Sequence, residues 1–131
     1  MALDQGTRGL KEWKGEYSFA VDGGAVSTIT LRSNDGSIPS GSVIEGGYLE
    51  VDTAVTSGGA ATGALQAEAA NDVQTAVVVS GAPWSSTGRK SITPAFTGAT
   101  TLKTSVARNP AFVIGAATVT AGIFRAVLFY R

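Results

Sequence analysis

Between Tyr48 and Val55 the chain alternates without a break: Leu49, Val51, Thr53 and Val55 fall on one side of an extended backbone, and Tyr48, Glu50, Asp52 and Ala54 on the other. Successive side chains of a strand leave on opposite faces, so this pattern makes a strand with one dry face and one wet face. A dry face needs a second layer to cover it. Tyr17, Phe19 and Val21 repeat the alternation against polar Glu16, Ser18 and Asp22. Asp22-Gly23-Gly24 then supplies a turn, and the β-branched run Val26 to Arg32 reads as the hairpin partner of that strand.

The remaining segments are short and punctuated. Ser33 to Ser42 is a loop of turn residues, Val43 and Ile44 reopen a strand that Gly46-Gly47 interrupts, and Thr56 to Gly63 is a flexible turn. Ala64 to Ala70 is seven residues between turn signals and fits a helix or a strand, while Asn71-Asp72 fits a helix cap or a strand end. Val73 to Val79 and Ala99 to Ala107 read as strands, with a loop from Ser80 to Ser91 before the second. Ala111 to Val119 and Ile123 to Tyr130 read as a terminal hairpin turned at Thr-Ala-Gly, its closing strand apolar enough to be buried on both faces. No long helix and no internal repeat emerges. About eight short strands at such spacings predict one all-β domain, an antiparallel β-sandwich, jelly-roll-like, over residues 16–131.

Residues 1–15 read differently. They mix charges with glycines and offer only Leu10 and Trp13 as large apolar groups, so they are expected to form an extended N-terminal arm. Two such anchors suit docking onto a partner, although Trp13 folded back onto its own domain fits the sequence equally. The opening MALDQGTRGLKEWKGE has no apolar run, unlike a signal peptide, and synthesis in a cytoplasm is expected. Asn109 to Phe124 is too short for a membrane span.

The 131 residues include no His and no Cys, which removes the commonest general base, the soft metal ligands and the thiol nucleophile. No catalytic residue, cofactor or metal site is expected. Gly81 to Ser91 has the wrong glycine spacing for a phosphate loop. Ser33-Asn34-Asp35-Gly36 lacks the acidic spacing of a calcium loop, and Glu50 with Asp52 reads as a solvated strand face. Ser86 and Lys90 form a conceivable Ser/Lys dyad that nothing else in the sequence supports.

Charge is neutral overall but divided. Every acid lies between Asp4 and Asp72, whereas Val73 onward carries only bases: Arg89, Lys90, Lys103, Arg108, Arg125 and Arg131. Either strands of the two halves interleave and neutralise one another, or the molecule has an acidic face and a basic face suited to docking. Net neutrality argues against nucleic acid or an anionic membrane as partner. Much of the apolar content is Ala, so contacts between copies could add to a modest core.

Trp84 stands out in the polar loop bounded by Pro83 and Gly88, beside Arg89 and Lys90. Trp with Arg is the composition of interface hot spots, and a Trp folded under its loop into the core is the competing placement. Leu10, Trp13, Trp84, Arg89 and Lys90 are therefore the interface candidates.

The run VDGGAVSTITLRSNDGSIPSGSVIEGGYLEVDTAVTSGGAATGAL, with the later APWSSTGRK and the closing TAGIFRAVLFYR, resembles virion structural proteins of tailed bacteriophages over residues 17–131, most of all capsid decoration or cement proteins. The resemblance implies a compact β-rich module on the outer capsid surface, a homo-oligomer with a trimer favoured, whose partner is the major capsid protein. It carries no catalytic residue across. A tail or baseplate adhesin, or a carbohydrate-binding module with Trp84 or Tyr48 in an exposed aromatic groove, is the alternative.

Overall fold

The computed structural model describes residues 10–131. Nine strands, all paired antiparallel, and one helical turn build two facing sheets. In chain order they are β1 (Lys11–Ser18), α1 (Phe19–Asp22), β2 (Ser27–Thr30), β3 (Val43–Ser57), β4 (Thr62–Gln66), β5 (Gln74–Val78), β6 (Gly88–Lys90), β7 (Leu102–Lys103), β8 (Ala111–Gly115) and β9 (Val119–Tyr130). The first sheet runs β1-β9-β3-β6, with β7 also on β3, and the second runs β2-β8-β4-β5. The expected all-β sandwich is what forms.

Its core is a cluster of rings between the sheets. Phe124 from β9 and Tyr17 from β1 meet Phe112 from β8, with Trp84 inserted from the loop before β6, at centroid separations of 4.8–5.3 Å. Tilted and edge-on ring pairs of this kind add to the stabilisation from burial alone. Around them pack Trp13, Leu49, Val51 and Leu128 from the first sheet and Leu65 and Ile114 from the second, all almost fully buried.

Several pairings depart from the sequence expectations. The strand at Tyr17 pairs with β9, in the register Tyr17↔Phe124, instead of forming a hairpin with Val26–Arg32. β2 belongs to the opposite sheet and pairs with β8, and a single bridge, Glu16↔Arg32, links that segment to β1. The intervening turn is occupied by α1, where the Tyr17 hydroxyl donates to the Gly23 carbonyl at 2.6 Å and Asp22 accepts the Ser18 amide at 2.9 Å. Likewise β8 and β9 form no terminal hairpin. They lie in different sheets, and the chain crosses between them at Ala116, whose φ is 68°. Thr120-Ala121-Gly122 is inside β9, not a turn.

Gly46-Gly47 does not end β3, which passes through with a register shift between Ile44 and Gly46. Ala64 to Ala70 resolves into β4 followed by a turn, in which the Asp72 carboxylate accepts the amides of Ala67, Glu68 and Ala69 at 2.7–2.9 Å. The strand expected over Ala99–Ala107 shrinks to the two residues of β7. Local hydroxyl bonds take over there: Thr104 donates to Pro39 at 2.7 Å, and Ser105 donates from both its amide and its hydroxyl to Glu68. Such side-chain bonds compete with a ladder for the same backbone.

The arm expected over residues 1–15 is part of the sandwich from Lys11 onward, since β1 pairs Lys11 with Tyr130 and Trp13 with Leu128. The rest of that expectation, residues 1–9, lies outside the described residues. Trp13 and Tyr17 face inward with Gly15 between them, and Gly is required because a Cβ at Gly15 would sit 2.2 Å from the Trp13 ring.

Candidate functional site

The two sheets differ in chemistry as sharply as in position. β2, β4, β5 and β8 contain no charged residue, so every charge carried by a strand belongs to the first sheet. On the uncharged sheet, register and burial place Ile29, Leu65, Phe112 and Ile114 inward, which turns Thr28, Thr30, Thr62 and Val113 outward, with Ala76 of β5 also exposed. The result is a smooth face of small neutral side chains.

On the charged sheet, acids and bases interleave. Arg125 on β9 forks onto Asp52 of β3 with two bonds of 3.1 Å, Arg89 of β6 donates to Glu50 at 3.3 Å, and Arg131 pairs with Glu45. With Arg108–Glu68 at 2.8 Å, four bases of the second half of the chain meet acids of the first. Strand interleaving therefore neutralises the two halves locally, and the acidic and basic faces do not form from these residues. Glu50 and Asp52 are held in ion pairs on a solvated face.

Several hollows open beside the strands of this sheet, and two of them bring charged side chains together with β1, β3 or β9. One, about 520 Å³, lies beside Lys14, Glu16, Arg32, Asp35 and Arg125. Its cations are matched from within: Arg32 bonds both Asp22 and Glu16, Lys14 sits 3.5 Å from Glu12, and Arg125 is held by Asp52.

The second, about 370 Å³, is a groove between β3 and the segment that leaves β6, lined by Tyr48, Arg89, Lys90, Ile92, Pro94 and Phe96 together with Gly47 and Ser91. β3 positions Tyr48 outward, and the Arg89 guanidinium lies 4.1 Å above its ring. Phe129, diagonal to Tyr48 on β9, has its ring centroid 6.2 Å from that of Tyr48. A cation over an aromatic face holds both groups in place. Phe96 has a φ of 56°, which aims a half-buried ring into the groove from backbone that non-glycine residues seldom adopt.

The interface candidates from the sequence divide accordingly. Arg89 and Lys90 stand at this groove and Leu10 is exposed just before β1, whereas Trp13 and Trp84 are 1% and 0% exposed. Both tryptophans serve the core of this chain and are not offered at its surface, because each indole N–H is satisfied internally, Trp13 on the Gly36 carbonyl and Trp84 on the Gly63 carbonyl. The aromatics that do line a surface hollow are Tyr48 and Phe96. Phe96, Ile92 and Pro94 escaped the sequence reading because they follow one another in a loop with no alternation to mark them.

Lys90 donates to Ser86 at 2.7 Å, so the conceivable dyad does come together. It lies on an open loop with Ser86 exposed, without the enclosed apolar pocket in which a lysine serves as a base.

No protein-family model matches the chain, and no curated protein matches it. Solved structures do. A chain in the acidic stable capsid structure of Helicobacter pylori bacteriophage KHP30 is 11% identical with a TM-score of 0.61, over 92% of this chain and 86% of that one. A chain in the cyanophage Pam1 capsid asymmetric unit is 17% identical with a TM-score of 0.57, over 92% of this chain and 83% of that one. The sandwich described above is thus a fold also found in chains of phage capsid structures.

Proposed function

We propose that this chain is a structural protein of a phage virion, a decoration or cement protein that binds the outside of the head and ties neighbouring subunits of the major capsid protein together. The observation that carries the reading is the shared fold across nearly the whole of this chain and of chains from two phage capsids. High coverage of both partners means that those chains are of comparable size, as a small accessory module would be. The division of the surface supports it further. A sheet rich in fixed ion pairs gives directional polar contacts to one neighbour, and a neutral sheet of Thr, Ala and Val can pack on another copy without desolvating charge.

Self-association, with a trimer favoured, belongs to this reading, as does assembly on the head after synthesis in the host cytoplasm. Bridging subunits adds contact free energy that exists only in the assembled shell, so mass action favours the closed head. No catalysis enters. Cosedimentation with heads lacking the protein tests it: saturable binding at a fixed ratio to capsomers supports the proposal, and absence of binding overturns it.

One observation favours a second reading, a tail or baseplate adhesin or carbohydrate-binding module, because Tyr48 does line a surface groove. Arg89 covers the ring at 4.1 Å and would have to move before a sugar could stack there. Binding of the isolated protein on a glycan array, lost in Tyr48→Ala, would favour this second reading.

A further inference from the structure

The groove under Arg89 differs from the 520 Å³ hollow beside Arg32 in that its positive charge is not fully balanced from within. Lys90 bonds the neutral hydroxyl of Ser86, and among the described residues no carboxylate pairs with it. Arg89 has one contact to Glu50 at 3.3 Å and keeps a side chain 64% exposed. Immediately beside these cations the wall is apolar, from Ile92, Pro94 and Phe96. The backbone is open as well. β7 pairs with Val43 and Ile44 and β6 with Leu49 to Val51, so that edge of β3 has no strand partner over residues 45–48, among the described residues. Two of those four residues are glycines: Gly46 has only Phe129 near it, and Gly47 is packed on one face by Leu128 and Ile92 but adds no side chain of its own.

Excess positive charge, an apolar wall and an unpaired strand edge together select a narrow class of ligand. We propose that the groove receives an extended acidic peptide segment of the major capsid protein, with a carboxylate against Lys90 and Arg89 and an adjacent apolar side chain against Ile92, Pro94 and Phe96. The partner's identity rests on the virion reading, and the groove specifies which part of that partner it takes. An extended segment can add main-chain hydrogen bonds along residues 45–48 while its side chains read the walls. A nucleic-acid backbone is disfavoured, since two cations are too few to track a row of phosphates. Complementary charge at such a site sets encounter rate and register, and leaving a buried partner charge unmatched raises dissociation.

The test compares wild type, Lys90→Glu, Lys90→Gln and Phe96→Gly for binding to heads that lack the protein, with a melting curve for each. Phe96→Gly removes the ring while suiting the positive φ, and Lys90→Gln removes the charge while an amide can still reach Ser86. The expected result is saturable wild-type binding that weakens with salt, a loss of about thirtyfold or more in Lys90→Glu, and a smaller loss in Lys90→Gln and Phe96→Gly, at melting temperatures close to wild type. If Lys90→Glu folds poorly, Lys90→Gln decides through its loss of salt dependence. Wild-type binding with unchanged affinity in the variants overturns the groove and leaves the virion reading standing. Failure of wild type to bind heads overturns that reading, and the proposed partner with it.

Discussion

The indole of Trp84 lies directly against Gly63, donating its Nε1 hydrogen to the Gly63 carbonyl at 3.2 Å while a Cβ built at Gly63 would fall 3.0 Å from the ring and 2.9 Å from Phe112. A loop side chain thus fills the space between the sheets, and the strand beneath it has been emptied to admit it. Gly63→Ala is expected to destabilise the protein by about 1–3 kcal/mol through overpacking. Trp84→Ala, which leaves a cavity amid Phe112 and Phe124, is expected to cost about 3–5 kcal/mol. Urea titrations of the two variants check both values, and an unchanged midpoint in Trp84→Ala would contradict the core placement.

Tyr17 is expected to contribute to the alkaline limit. Burial, and secondarily the negative charge of Asp22, push its phenol up to about 12. An unfolded tyrosine ionises near 10, so the fold favours the neutral ring, and that stabilisation is complete below pH 10 and is lost as pH rises toward 12. Wild type should lose melting temperature across this window, and Tyr17→Phe should lose less. Parallel declines would mean that another group sets the limit.

At the acid end the corresponding group is Glu68. Hydrogen bonds from Arg108 and then from the Ser105 amide and hydroxyl lower its pKa to about 2. A depressed carboxylate stabilises above its unfolded value near 4.5, and the benefit fades as pH falls through the folded one. The gap in melting temperature between wild type and Glu68→Gln should therefore be constant above about pH 5.5 and close progressively toward pH 2. A gap independent of pH would place the variant's effect elsewhere.

Asp72 holds the turn after β4 by accepting three backbone amides. In Asp72→Ala those donors lose a charged acceptor, and a loss of about 2–3 kcal/mol is expected. Amide exchange of Ala67, Glu68 and Ala69 should accelerate well beyond that of β8, and exchange that rises evenly across the molecule would refute the local role.

What the sequence revealed, and what it concealed, follows from where each signal originates. The alternation of Tyr48 to Val55 was readable because that strand has one wet face, and Leu49, Val51 and Val55 are buried as expected, whereas Thr53, expected on the same face, is exposed where the register with β9 shifts. Trp13-Lys14-Gly15-Glu16-Tyr17 alternates too, but its inward position 15 is a glycine, required by the ring beside it, and the apolar pattern vanishes there. Strand partners were not legible at all. Short connections suggested hairpins at residues 17–32 and 111–130, whereas both connections cross between sheets, since only the assembled ring cluster decides which sheet each strand joins. For the groove, composition identified Arg89 and Lys90 as exposed cations. Their apolar companions Ile92, Pro94 and Phe96 became visible only once the loop was folded back along β3.

The placement of β9 between β1 and β3 bears on how the protein comes off the ribosome. This inner strand of the charged sheet is the last of that sheet to be synthesised, so β1 has no strand partner, and β3 only β6 and β7, until β9 has been made. Such distant pairings carry a large loop-closure cost and fold slowly, with strand edges exposed to aggregation in the interval. A ribosome-bound chain halted before residue 119 would have the neutral sheet but only the short β3–β6 and β3–β7 pairings of the charged one, and truncation within β9 should produce insoluble protein instead of a slightly smaller sandwich.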